Sequence, residues 1–198
     1  MTPDAPRPTA EDYSHLSATG QGLVVEFRAR VVELIAAEKP ARILEVGCGQ
    51  GWLLKLIADA LPEVELHGLD IRPEVVDYAR TLVPQAKVVV GDGQRLPYDE
   101  GSFDMVVCSE VLEHVDDPSW VLAEIDRVGR GAAVVSVPHE PWFWGANLIR
   151  GKHLATFGNC AGHIHHWTRG GFARLLRSCY ASVSVECSFP WLVALVRR

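Results

Sequence analysis

The sequence of 198 residues predicts an α/β fold in which a mostly parallel β-sheet is covered by helices on both faces. Short apolar runs alternate with segments of helical periodicity along most of the chain, which is the βαβ pattern of parallel sheets. Glycine, aspartate and serine residues follow several of these runs, at the strand ends where such sheets bind ligands. No internal repeat or linker interrupts the pattern. We therefore expect a single domain over residues 22–198, preceded by a flexible N-terminal arm over residues 1–21.

The first half of the chain predicts three helices and three strands. Apolar residues on one side of the segment 23–38 predict a helix that ends before Pro40, and Pro73 suits the first turn of a later helix. In chain order the predicted elements are a helix at 23–38, a strand at 42–46, a helix at 52–61, a strand at 64–69, a helix that begins at Pro73 and includes Leu82, and a strand at 87–90.

The second half continues the alternation and then closes the sheet. Residues 138–167 form a long segment rich in aromatic residues and histidine, without a clear period, and Thr168 is a candidate N-cap. The predicted elements are a strand at 103–108, a helix at 119–128, a strand at 132–137, a helix from Thr168 to about 179, and a strand pair at 183–185 and 191–196 with Pro190 in its turn.

Three glycines lie between the first strand and its helix, at Gly47, Gly49 and Gly51. Glycine permits a tight turn and lets a ligand approach the backbone, and the N-terminus of the next helix favours anionic groups. The third glycine comes one residue too early for the G-x-G-x-x-G pattern of nicotinamide dinucleotide sites. The spacing therefore indicates a ligand-binding loop of another kind.

Acidic and small residues follow the next three strands. Asp70 ends the second strand about 20 residues after the glycine loop, where a carboxylate can accept hydrogen bonds from ribose hydroxyls. It can also serve as a helix N-cap, since Pro73 follows closely, and both roles can hold together. Asp92 and Gly93 follow the third strand and Ser109 ends the fourth. We expect all of these residues at one edge of the sheet.

The motifs together resemble those of the class I S-adenosylmethionine-dependent methyltransferases. The segment ILEVGCGQG resembles their motif I, and SEVLEHV is similar to the EVLEH stretch of the ubiquinone/menaquinone-biosynthesis-like (methyltransferase type 11) group. The resemblance covers roughly residues 40–190. The segments that carry it, in order, are 43–51, 91–97, 103–107, 109–115 and 163–180.

The resemblance implies a Rossmann-like three-layer sandwich whose sheet has seven strands, the last one antiparallel, and S-adenosylmethionine as the cofactor. Gly47 and Gly49 would pass under the amino-acid part of the cofactor, Asp70 would bind the ribose, and Asp92 would accept from the adenine amino group. The cofactor-binding residues implied in this way are Glu45, Gly47, Gly49, Asp70, Ile71, Asp92, Gly93 and Ser109.

Three histidines are candidates for acid–base chemistry at the acceptor: His114, His139 and His163. Methyl transfer from a sulfonium needs mainly alignment of the two reacting atoms, and a base is required only if the acceptor still carries its proton. His114 follows the fourth strand and could instead cap or orient its own helix. His139 follows the fifth strand, and His163 precedes an aromatic-Thr pair that is common in the similar families.

We expect no metal site. Histidines at positions 153, 163, 165 and 166 are close in sequence, but no carboxylate or cysteine at a convincing spacing completes a ligand set. The acidic residues Glu110, Glu113, Asp116 and Asp117 could suggest a metal site, but they are more simply interpreted as a solvated helix face and its N-terminal turn.

Charge and composition indicate the partners. The net charge of −6 and the lack of clustered basic residues disfavour nucleic acid, so we expect a small-molecule acceptor. The aromatic run Trp142, Phe143, Trp144 suggests a hydrophobic or aromatic one. No apolar run approaches the roughly 20 residues of a membrane span. Five cysteines without C-x-x-C spacing, and an N-terminus without a secretory pattern, predict a cytoplasmic location.

Three other functions remain open. A nicotinamide-dependent oxidoreductase is disfavoured by the glycine spacing and by Asp92, and a non-catalytic S-adenosylmethionine-binding subunit would keep the cofactor site without methylating anything. A nucleic-acid amino-methyltransferase would carry Asn or Asp followed by Pro-Pro-aromatic after the fourth strand. Residues 108–111 read Cys-Ser-Glu-Val there instead.

Overall fold

The computed structural model describes residues 18–140, 142, 145 and 162–198. The expected arm therefore lies outside the described residues, apart from residues 18–21, which belong to the first helix. Phe143, Trp144 and His153, which the sequence singled out, also lie outside them.

The described residues form seven strands and five helices. In chain order these are α1 (Ala18–Glu38), β1 (Arg42–Val46), α2 (Trp52–Ala60), β2 (Glu65–Asp70), α3 (Pro73–Leu82), β3 (Lys87–Val90), β4 (Phe103–Ser109), α4 (Pro118–Val128), β5 (Gly129–Pro138), α5 (Arg169–Arg177), β6 (Ser182–Ser188) and β7 (Trp191–Arg197).

The strands form one sheet in the order β3-β2-β1-β4-β5-β7-β6. The pairs from β3 across to β5 are parallel, whereas β7 is antiparallel to both of its neighbours. This confirms the predicted seven-stranded sheet with an antiparallel last strand. The chain moves outward from β1 through β2 to β3 and then returns to place β4 on the other side of β1. The carboxyl ends of β1 and β4 are therefore the point where the order reverses, and ligands bind at such points.

Helices cover both faces of the sheet because adjacent strand residues alternate between two apolar cores. Ile43 packs with α1, α2 and α3 on one face, whereas the next residue, Leu44, packs with α4 and α5 on the other. Met105 and Val106 of β4 divide in the same way. The result is the predicted three-layer arrangement. Among the described residues, no helix combines the length and the apolar character that crossing a bilayer requires.

Local signals explain most helix boundaries. Pro73 and Pro118 begin α3 and α4, the Asp117 side chain caps α4 at Ser119 N, and the Thr168 hydroxyl caps α5 at Gly171 N. Three boundaries differ from expectation by three residues or more. The first helix begins at Ala18 rather than at Leu23, and β6 extends to 188 rather than to 185. The strand β5 begins at 129 rather than at 132, because Gly129 pairs with Phe103 of β4.

Candidate active site

The glycine loop between β1 and α2 is a tight turn held against β2. Gly47, Gly49 and Gly51 all have positive φ angles, of 73°, 51° and 84°. The backbone N–H groups of Gly47 and Cys48 both donate to the Leu69 carbonyl oxygen, at 2.7 and 3.0 Å. A Cβ atom on Gly47 would lie 2.3 Å from Val111 Cγ2. This loop therefore needs glycine at position 47 for its backbone conformation and for its packing.

Asp70 connects the end of β2 to this loop. Its buried carboxylate accepts from the backbone N–H of Gly49 at 2.9 Å through Oδ2, and from that of Arg72 at 2.9 Å through Oδ1. The Arg72 guanidinium adds an ion pair at 3.1 Å. With the bonds from Nε and Nη2 of Arg72, Asp70 accepts four hydrogen bonds, which is about the number a carboxylate offers, so a ligand that binds Asp70 would replace the Arg72 side chain there. Ile71, which follows it, is exposed.

The next two strand ends complete this edge of the sheet. Asp92 is exposed, and its Oδ1 accepts from Gln94 N at 2.9 Å. A Cβ on Gly93 would lie 3.0 Å from Val46 Cγ1, so the turn after β3 packs against the end of β1. At the end of β4, the Ser109 hydroxyl is 2.9 Å from that of Ser136.

The expected cofactor residues are therefore brought to one edge. In the strand register, Val46 pairs with Leu69 and with Cys108, and Asp70 pairs with Val90, so the four strands end at nearly the same level. Glu45 is buried within β1, just before the glycine loop. Sequence reasoning thus grouped these residues as the structure does.

The segment between β4 and α4 differs from the expected solvated helix face. Residues 112–116 form turns and bends, and α4 begins only at Pro118. Glu113 is fully buried, and the Glu110 Oε2 accepts from the indole N–H of Trp191 at 2.7 Å. The interpretation of Glu110 and Glu113 as solvated was wrong, because the chain turns inward after β4 instead of continuing as a helix. It was correct for Asp116, which is exposed, and for Asp117, the N-cap.

Burial changes the titration of both glutamates. Burial, opposed by the bond from Trp191 and aided by the negative charge of Glu140, raises the pKa of Glu110 to about 8. Burial, and then the charge of Glu110, holds the pKa of Glu113 well above its usual range. These carboxyl groups form a buried acidic cluster beside the carboxyl end of β4.

His114 and His163 adjoin this cluster. Their ring centroids are 5.0 Å apart. One ring nitrogen of His114, one ring nitrogen of His163 and one carboxylate oxygen of Glu113 all lie within 4.8 Å of one another. The His114 Nδ1 is 3.0 Å from the Gly162 carbonyl oxygen, which only accepts, so Nδ1 carries the proton. Burial lowers the pKa of His114, and the charge of Arg72 lowers it further against the Gly162 bond. Because Arg72 also binds Asp70, the cluster faces the same edge as the glycine loop.

The segment that carries His163 is fixed to the β4–α4 loop by its backbone. The N–H groups of Ile164 and His165 donate to the Glu113 carbonyl oxygen, at 2.8 and 3.4 Å, and the His165 Nε2 is 3.0 Å from the Val115 carbonyl oxygen. These bonds hold the segment that carries His163 against this edge of the sheet.

His139 lies apart from the other two candidate histidines. Its backbone N–H donates to the Pro190 carbonyl oxygen at 2.9 Å, and its Nδ1 is 3.7 Å from the Cys187 Sγ. Burial, followed by the charge of Arg169, lowers the pKa of His139. Its contacts are thus with the β6–β7 hairpin, and its catalytic role stays a prediction.

Sequence reasoning missed the grouping of Glu113 with His114 and His163. The two histidines are far apart in sequence, and only the return of the chain before α5 brings them together. The available signal was the spacing of Glu110, Glu113 and His114 directly after a buried strand.

Comparisons with known proteins agree with this architecture. Residues 44–136 match the family described as "Methyltransferase domain". The chain is 31% identical over 120 residues to demethylmenaquinone methyltransferase of Thermotoga maritima, covering 60% of this chain and 52% of that protein. It is 32% identical over 126 residues to malonyl-[acyl-carrier protein] O-methyltransferase of Hahella chejuensis, covering 61% and 45%. The chain thus spans about half the length of these curated relatives.

A solved structure supports the fold. The plantazolicin methyltransferase BpumL, crystallised with a triazolic desmethylPZN analog and SAH, superposes with a TM-score of 0.73 at 14% identity, over 92% of each chain. At this identity the likeness concerns the fold alone. Taken together, the family match identifies residues 44–136 as a methyltransferase domain, and the strand order and the glycine loop give it the fold of the class I S-adenosylmethionine-dependent methyltransferases.

Proposed function

We propose that this chain transfers the methyl group of S-adenosylmethionine to a small-molecule acceptor. The observation that carries the proposal is the alignment of Gly47, Asp70 and Asp92 at adjacent strand ends, in a chain of this family. When bound, S-adenosylmethionine would supply the methyl group and keep the electron pair of the broken sulfur–carbon bond on sulfur, while a lone pair of the acceptor would form the new bond. The protein would align the reacting atoms.

We assign the cofactor contacts as follows. Gly47 and Gly49 pass under the methionine part, because their bare backbone allows close approach, and Glu45 orients the loop from behind. Asp70 accepts from the ribose hydroxyls while its bond to Gly49 N keeps the loop in place. The remaining assignments are Ile71 and Gly93 beside the adenine, Asp92 as acceptor of the adenine amino group, and Ser109 near the methionine end.

We assign the methyl acceptor to the β4 side of the cofactor. His114 and His163 lie there beside Glu113, and the charge of Arg72 acts on His114, so these are the histidines best placed to act at the acceptor. His139 is the third candidate, at the end of β5.

An apolar acceptor suits the aromatic side chains at this edge. Trp142 and Phe189 are 57% and 48% exposed, and their ring centroids are 6.5 Å apart. Phe189 precedes Trp191, which pairs with Pro138 at the carboxyl end of β5, so this pair lies at the same edge of the sheet as the glycine loop. Such a wall favours a hydrophobic or aromatic molecule over a nucleic acid. A cytoplasmic location remains a prediction from the composition.

Calorimetry with S-adenosylhomocysteine tests the cofactor site. We expect the wild-type chain to bind it, and Asp70→Asn to weaken binding at least tenfold, or about 1.4 kcal/mol, because the amide replaces one acceptor oxygen by a donor. Asp77→Asn, on the exposed surface of α3, is the matched control and should bind like the wild type.

The melting temperature of each variant shows whether a lost affinity reflects lost folding. NADH, tested in the same way, should not bind. Binding of NADH but not of S-adenosylhomocysteine would contradict the proposal in favour of an oxidoreductase. Equal affinity of Asp70→Asn and wild type would contradict the assigned site. Cofactor binding without methylation of any acceptor would favour the non-catalytic subunit.

A further inference from the structure

The proposed cofactor site does not explain why the carboxyl group of Glu113 is buried. Neither of its oxygens accepts a hydrogen bond from another described residue, and no described lysine or arginine forms an ion pair with it. A buried carboxyl group without such partners costs about 1–3 kcal/mol in unmade hydrogen bonds even when it is protonated, so natural sequences rarely keep one unless something binds to it. The Oε1 atom of the neighbouring Glu110 is also buried without a hydrogen-bond partner in the described part of the chain.

We infer that Glu113, His114 and His163 bind one first-row divalent cation. One potential ligand atom from each of these residues lies within 4.8 Å of the other two. Two atoms bound to one such ion at about 2.0–2.2 Å stand at most about 4.4 Å apart, so small side-chain shifts close the ligand shell.

The orientation of His114 supports the assignment. Metal-binding histidines commonly donate their second ring N–H to a carbonyl or carboxylate, which fixes the tautomer. The Gly162 carbonyl oxygen accepts from the Nδ1 of His114 at 3.0 Å, which leaves the lone pair on Nε2.

The ligand chemistry narrows the class of ion. Two imidazoles with one carboxylate suit Mn²⁺, Fe²⁺, Co²⁺ or Zn²⁺, whereas Mg²⁺ and Ca²⁺ prefer oxygen ligands throughout. The positive charge of the bound cation, beside Glu110 and Glu113, would also offset the repulsion between these two carboxylates.

Three protein ligands leave coordination positions open, which is typical of catalytic rather than structural metal sites. His114 is exposed, so the site is reachable from solvent. If the proposed methyl transfer holds, an acceptor oxygen bound at an open position would lose its proton to solvent more readily, and the two histidines would be ligands rather than bases. This role depends on the proposed function, whereas cation binding itself does not.

The test is calorimetric titration of chelator-stripped protein with Mn²⁺, and separately with Mg²⁺. We expect one Mn²⁺ per chain, bound at least tenfold more tightly than Mg²⁺. We expect Glu113→Gln and His114→Gln each to weaken Mn²⁺ binding at least tenfold. Asp116→Asn and His166→Gln, two exposed residues outside the cluster, are the matched controls and should stay within twofold of the wild type.

Three further measurements distinguish loss of the cation site from loss of the fold. S-adenosylhomocysteine affinity and melting temperature of each variant show that the fold survives, and His114 is exposed enough for its variant to fold. With Co²⁺, the visible spectrum of the wild type should show nitrogen ligation, and His114→Gln should change it.

Wild-type protein that binds no Mn²⁺, or that prefers Mg²⁺, would overturn the inference. Mn²⁺ affinity unchanged in both Glu113→Gln and His114→Gln would also overturn it. Mn²⁺ binding without binding of S-adenosylhomocysteine would instead support the cation site and contradict the proposed methyl transfer.

Discussion

The glycine loop gives the sharpest stability prediction, through the substitution Gly47→Ala. The backbone at Gly47 has φ +73°, and a Cβ there would lie 2.3 Å from Val111 Cγ2. A left-handed conformation costs a residue with a Cβ about 1–2 kcal/mol, and overpacking a stiff, β-branched neighbour costs about 1–3 kcal/mol. We therefore expect Gly47→Ala to lower the free energy of unfolding by about 2–5 kcal/mol, which corresponds to a melting temperature lower by about 4–20 °C in a domain of this size.

A double variant separates the two causes. Val111→Ala removes the atom that the new Cβ would meet but leaves the backbone strain. In Gly47→Ala/Val111→Ala the loss should therefore be smaller than the sum of the two single losses by about 1–3 kcal/mol. Gly22→Ala is the control, because Gly22 is helical and a Cβ there meets nothing within 4 Å, and it should stabilise by about 0.5–1 kcal/mol.

Unfolding in denaturant, followed by circular dichroism, measures all four variants. The reasoning fails if Gly47→Ala unfolds within about 0.5 kcal/mol of the wild type. Strict additivity of the Gly47 and Val111 substitutions would refute the assigned contact.

Three further substitutions test single interactions by equilibrium unfolding. Burial raises the pKa of Asp104, but the hydrogen bonds that its carboxylate accepts from Arg130 and from the N–H groups at the start of β1 lower this pKa overall. We therefore expect Asp104→Asn to lower the free energy of unfolding by about 1–3 kcal/mol at pH 7. A pKa that is lower in the folded state stabilises the fold at pH values above the unfolded pKa of about 3.9. The difference in unfolding free energy between wild type and Asp104→Asn should therefore vanish as the pH falls through the folded pKa, and a difference that stays constant with pH would contradict this reasoning. Trp191→Phe leaves Glu110 without its N–H donor and should cost about 1–3 kcal/mol, and no loss would mean that this bond is dispensable. Thr168→Ala removes the α5 cap and should cost about 1 kcal/mol, whereas Thr168→Ser should retain most of that stability.

Much of the fold follows from local features of the sequence. Runs such as 42–46 and 87–90 are bounded by Pro, Gly or Asp, and the structure places strands on these residues. Alternating burial across Ile43 and Leu44 follows from strand geometry once both faces of the sheet are covered. The glycine loop and Asp70 come together because parallel strands end at one edge.

The acidic cluster was not predictable in the same way. Glu110 and Glu113 precede a genuine N-cap at Asp117, so their local pattern is typical of an exposed helix start. Their burial depends on contacts from distant parts of the chain. The indole N–H of Trp191 reaches Glu110 from β7, and the segment before α5 covers Glu113. Local propensity carries no information about such contacts.

The expected base at His139 illustrates the same limit. Its position after β5 places it at the correct edge, but the hairpin of β6 and β7 turns its ring toward Cys187. His114 and His163 meet each other because the segment at 162–167 returns over the β4–α4 loop.

A crystal structure of the chain with S-adenosylhomocysteine tests the central claim most directly. We expect the ligand to cross the carboxyl ends of β1, β2 and β3, with its ribose hydroxyls within about 3.2 Å of the Asp70 carboxylate and its adenine amino group at Asp92. A ligand bound elsewhere on the chain, or a ribose that does not contact Asp70, would contradict the account.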